Sequence, residues 1–110
     1  MTRKLILTLA LCAAIPNLAL AQGMTMGGSP GDKANMEAMQ KMQSDMPKPS
    51  GEPDKDFVAM MIPHHQGAID MAKVELQYGK DPTLKTMAKM IVSAQEKEIK
   101  KMRDWQSQHK

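Results

Sequence analysis

The sequence predicts an all-α protein: an antiparallel helical hairpin with a short N-terminal helix ahead of it. Three observations carry that expectation. Apolar side chains recur three and four residues apart through 54–78 and 82–108, the spacing of one helix face. Asp81-Pro82 is a start signal, with the acid as cap and the proline at the first helical position. No segment alternates polar and apolar residues as a half-buried strand would. The short connection between Gly79 and Pro82 favours antiparallel neighbours.

Ahead of these helices, residues 1–21 have the three parts of a secretory signal peptide. Arg3 and Lys4 bring positive charge, Leu5 to Ile15 is almost wholly apolar, and Ala19-Leu20-Ala21 places small residues where a signal peptidase cuts. The apolar run is interrupted by Pro16 and Asn17 and falls short of the roughly 20 residues that span a bilayer. Cleavage after Ala21 is expected, with the product periplasmic or secreted and free of the membrane. It removes Cys12, the single cysteine, and without Arg3 and Lys4 13 basic residues face 12 acidic ones. So near-neutral a chain, with no basic patch interleaved with aromatics, is not expected to bind nucleic acid. Lys97, Lys100, Lys101 and Arg103 read instead as a solvated face near a helix C-terminus, where cations suit the macrodipole.

Residues 22–53 form a Met-, Pro- and Gly-rich lead. Within it 32–46 is helix-prone, with Met36, Met39, Met42 and Met46 at spacings of three and four; Pro47, Pro49, Gly51 and Pro53 then make a linker. The helical domain is expected over 54–108, as one helix from Asp54 to Tyr78, stopped by Gly79, and another running to Gln108. After cleavage only 10 of 89 residues are Leu, Ile, Val or Phe, whereas 12 of the 13 methionines remain. Methionine fills space but specifies packing poorly, so a core this small is expected to lean on a metal, a partner or self-association. The lead methionines, with Met24 and Met26, suit either a docking face or auxiliary soft-metal contacts, and docking is the favoured use.

The last helix has a clear inner face. Leu84, Met87, Ala88, Ile91, Ile99, Met102 and Trp105 fall on one side at about 100° per residue, opposite Lys89, Lys97, Lys100 and Asp104. Gln95 and Glu98 land inside that apolar face. A buried acid needs a partner, so Glu98 either meets one or reaches solvent along the bundle edge.

The preceding helix carries the most informative stretch, around Pro63-His64-His65. Met60, His64 and Met71 share one stripe at helical spacing, and Met61, His65 and Ala72 a neighbouring one. Two imidazoles thus stand among three thioethers, with Phe57 and Ala68 expected to make the surroundings apolar. Pro63 cannot donate to the carbonyl of Ala59, and a kink there would open space beside the histidines. Gly67 lets another helix approach closely.

Thioether sulfur is a soft, neutral ligand that selects cuprous copper, or silver as its mimic, over zinc, calcium or magnesium; imidazole suits copper in both oxidation states. Zinc is disfavoured, since no thiolate, His-Glu-x-x-His motif or nearby third histidine exists. The alternative is structural: methionine stripes are often core, and paired histidines can be packing residues. His109, near the terminus, lies outside the segment.

This segment resembles the signature of the domain of unknown function 305 family (DUF305), in Asp56-Phe57-Val58, Met61-Ile62-Pro63-His64-His65-Gln66-Gly67-Ala68-Ile69 and Met71-Ala72. A second block resembles Gln95, Glu98-Ile99, Met102 and Trp105. The resemblance covers roughly 54–106 and implies an exported, ferritin-like helical bundle. Members of the CopM type bind copper, so it also implies copper handling, with Met61, His64, His65 and Met71 at motif positions and Gln95 and Glu98 in or beside the site. With too few helices for a full bundle, the chain is expected to pack its lead helix on the hairpin or to pair two copies into four helices.

Together these point to an exported protein that sequesters or transfers copper to support copper homeostasis or resistance. Met60, Met61, His64, His65, Met71 and Met102 are the expected ligands, and Gln95 and Glu98 orient them. The expected partners are the ion, a second copy or a copper-handling protein. The alternative is a methionine-rich interaction module with structural histidines. No nucleophile–base pair or phosphate loop suggests a reaction. With Cys12 gone and an oxidising compartment ahead, methionine and histidine can bind copper without forming disulfides.

Overall fold

The computed structural model describes residues 28–110; the expected signal peptide, Cys12, Met24 and Met26 lie outside them. The described chain is three helices: α1 (Pro30–Asp45), α2 (Pro53–Tyr78) and α3 (Pro82–Gln108). Among the described residues there is no strand, and no helix is long and apolar enough to cross a membrane.

Each start has a local cause. α1 begins two residues earlier than expected because Ser29 and Pro30 supply a cap and a first-turn proline. Ser29 Oγ accepts from the Asp32 N–H at 3.2 Å, and the Asp32 carboxylate accepts from the Ser29 N–H at 2.8 Å. This reciprocal pair is a capping box, with Asp in place of the usual Glu. Asp81 caps α3 as expected, accepting from the Leu84 N–H at 2.9 Å.

The linker is tied down from inside α2. Asp56 accepts from the Ser50 N–H and Ser50 hydroxyl, both at 2.7 Å, and from the Gly51 N–H at 3.1 Å. The Ser50 hydroxyl first, and its N–H next, hold the Asp56 carboxyl below its ordinary value. Gly51 stands at φ 91°, a conformation that favours glycine.

α2 is the central helix, with both neighbours antiparallel to it. Gly31 lies against Tyr78 and Gly67 against Met42, which sets α1; a contact between His65 and Glu98 sets α3. Among the described residues α1 and α3 do not pack on each other. A closed three-helix bundle would join all three pairs, so this is instead an open layer with α2 in the middle. The buried apolar residues are few and mostly small: Ala38, Val58, Ile69, Ala72, Ala88 and Ile99.

Three expectations about packing are corrected. α1 docks through Gly31, Ala34, Ala38 and Met42, the positions with low exposure, while Met36, Met39 and Met46 stay exposed. Small residues let the backbones approach, and a methyl group added at Gly67 would stand only 2.6 Å from Met42 Sδ. Phe57 does not enclose the histidines; it is 59% exposed. The helix runs unbroken through Pro63, and the cavity beside it, about 720 Å³, opens on Ala59, Ile62, Gln66 and Arg103, away from both histidines.

The open layer therefore has two unlike faces. One carries the Lys41–Asp45 ion pair and a 3.0 Å hydrogen bond from Gln66 to Asp70. The other displays methionine.

Candidate metal-binding groove

Helical periodicity decides which side chains meet on the methionine face. On α2, His64, Ala68, Met71 and Glu75 are spaced four, three and four apart and form one stripe. Leu84, Met87 and Ile91 make the matching stripe on α3. These residues, with Met42 from α1, border a groove of about 500 Å³. Met39 lies three residues from Met42 and shares its side of α1, and Met46 follows just past the helix end.

The sequence-predicted residues divide into two clusters. His64 and Met71 border the groove, and both are exposed. Met60, half-buried, lies one turn before His64. His65 turns away to the seam between α2 and α3. There His65 Nδ1 donates to the Met61 carbonyl at 2.8 Å, and His65 Nε2 meets Glu98 Oε2 at 2.5 Å. The two rings stand 6.2 Å apart at 63°, open to different surroundings.

Glu98 combines both expectations for it: it reaches His65 although its side chain is 55% exposed. Both ring nitrogens of His65 are thus engaged by oxygens of the protein. A ligand at His65 must displace one of these contacts. His64 shares neither.

Antiparallel register places the rest of the seam. One turn before His65 on α2 and one turn beyond Glu98 on α3 bring Met61 and Met102 to the same level, both half-buried. Gln95, half-buried, lies one turn to the other side of Glu98. His109 is stacked on Trp105, with ring centroids 4.2 Å apart.

Two groove methionines, Met42 and Met87, stand outside the expected ligand set. Met42 reads from spacing as one of four docking methionines, and Met87 as inner-face packing. The signal was present in both stripes, but which methionine meets His64 depends on how the helices lie beside each other. Among the described residues no three His, Cys, Asp or Glu side chains gather to hold a metal ion. A site here would depend on sulfur.

A profile of the family described as "Domain of unknown function (DUF305)" matches residues 13–106, most of the chain and both histidine-bearing clusters. An uncharacterised protein of Acanthamoeba polyphaga mimivirus is 43% identical over 49 residues. That alignment covers 44% of this chain and 32% of the viral protein, so the chain matches about a third of its relative's length.

Proposed function

Because the chain belongs to the DUF305 family, whose function is unknown, we propose from its own residues that it is an exported copper-binding protein, sequestering copper or passing it to a partner. One observation carries this: His64 and thioethers from three different helices, Met42, Met71 and Met87, border one open groove. Soft, neutral sulfur favours cuprous ion over zinc, calcium or magnesium, and imidazole suits copper in either oxidation state. Silver would bind as a mimic. Met60 extends the donor row by one turn.

The seam supplies a second, less accessible set in His65, Met61 and Met102. Glu98 orients that imidazole, as carboxylates beside metal-bound histidines do, and Gln95 lies one turn away. Copper reaching His65 exchanges with the Met61 carbonyl or with Glu98, so His64 is the first ligand and His65 the second. The protein holds and releases the ion and does not transform it.

Titration of the protein with cuprous ion against a competing chelator tests this. Replacing Met42, Met71 and Met87 by Leu, or both His64 and His65 by Ala, is expected to lower affinity at least roughly tenfold, the scale on which disturbed metal-site groups act. Helicity should persist, because leucine keeps most of the bulk that Met42 presents to Gly67, and Met71, Met87 and His64 are exposed. Affinity no tighter than that of an unstructured methionine peptide, or unchanged in both variants, sinks the copper reading.

A further inference from the structure

Among the described residues nothing packs against the methionine face, and an apolar helix stripe must bury itself against another element. Met71, Met87 and Met90 are 44%, 52% and 67% exposed. Contiguous apolar surface of this kind marks an interaction site. The opposite face is more polar: Lys41 pairs with Asp45, Gln66 donates to Asp70, and Arg103 lines its cavity.

We propose that a second copy of this chain covers the methionine face, as a two-fold dimer in which α2 packs antiparallel on α2. The groove stripe His64, Ala68, Met71, Glu75 has the spacing four, three, four, which reads the same in reverse. Two-fold register therefore sets His64 opposite Glu75 of the second copy, and Ala68 opposite Met71 of the second copy. Each pair occurs twice, as a self-complementary interface requires.

The pairs are complementary in charge and in size. An imidazole N–H donates to a carboxylate, and a long thioether lies over a methyl group. Glu75 is half-buried in the apolar groove and takes part in no ion pair among the described residues. Such an acid gains from a donor brought to it. His64 of the second copy is that donor.

Sedimentation equilibrium of the metal-free protein at sub-millimolar concentration tests this. Twice the chain mass is expected. Ala68→Glu sets two carboxylates near the two-fold axis and should yield a helical monomer, with helicity checked by circular dichroism. His64→Glu or Glu75→His alone should weaken association at least roughly tenfold by placing like groups face to face, and the double exchange should restore it.

A monomer throughout that range overturns the proposal, as does a dimer indifferent to Ala68→Glu or to both single exchanges. The copper reading also uses His64, but the two remain separable. Met71→Leu removes sulfur while keeping bulk, so it lowers copper affinity and leaves the metal-free dimer intact.

Discussion

The two faces of the helical layer are made from the same three helices and solve opposite problems. On one face, Lys41 pairs with Asp45 and Gln66 with Asp70, and Arg103 extends into water. That surface is complete as it stands. On the other, side chains large enough for a core remain exposed around a groove with one imidazole and one carboxylate. The difference shows that the fold is held by its seams, and that the methionines are left over for something else.

His64 and His65 show the same division at one residue's separation. A step of about 100° along a helix carries one ring onto the open face and the other into the α2–α3 seam. Adjacent histidines are thus in different chemical situations. One is bonded at both nitrogens, and the other borders the methionine-lined groove.

If the seams hold the fold, the largest stability loss should come from one of them. Ile99, 8% exposed, is the largest side chain α3 buries among the described residues, and Ile99→Ala should cost about 2–4 kcal/mol, read by thermal or urea unfolding. Met87→Ala on the open face removes a side chain that is 52% exposed and should cost far less in the same measurement. Equal losses would break the comparison.

The histidines give a smaller contrast. Glu98→Ala removes the acceptor that His65 Nε2 meets, and should cost roughly 0.5–1.5 kcal/mol, the net worth of one hydrogen bond. His64→Gln, at the groove, should leave the metal-free unfolding midpoint nearly unchanged when made in the monomeric Ala68→Glu background, where no second copy meets His64. Together they separate a seam histidine from a surface one.

The linker adds a pH test with a defined sign. The Asp56 carboxyl is held below its ordinary value by the Ser50 hydroxyl and N–H, so its anchoring is complete above the usual aspartate range. It is lost as pH falls through the lowered folded value. Protection of the Ser50 and Gly51 amides from exchange, relative to the intrinsic rate at each pH, should therefore fall only in acid, and in Asp56→Asn it should be lower even near neutral pH.

The smallest effect belongs to the polar face. Asp45 raises the Lys41 pKa through a hydrogen bond and its charge, but both side chains are largely solvated, and exposed pairs contribute little. Lys41→Ala should produce no resolvable change in unfolding midpoint, association or copper affinity.

Much of the fold was legible before any coordinates. Asp81-Pro82 marked the start of α3 because a cap and a first-turn proline act over a few residues, and Gly79 marked the end of α2. The docking face of α1 was less legible. Methionine outweighs alanine on any scale of apolar size, yet Gly31, Ala34 and Ala38 form the contact, because Gly67 on the facing helix lets the backbones come close. The histidine segment was recognised, whereas its division into groove and seam was not, since sequence spacing fixes angles about one helix and not the rotation of that helix against two neighbours.

The sequence by itself determined three helices, their order and the cap of α3, because hydrogen bonding at helix ends and apolar periodicity are local. It also determined that soft donors would dominate any site, through a composition rich in methionine and, with Cys12 in the expected signal peptide, poor in every other sulfur. Only the tertiary structure decided that α1 and α3 stay apart, that His65 meets Glu98, and that Met42 and Met87 join His64 and Met71. Those outcomes depend on register between helices, a property of packed pairs that no single segment contains.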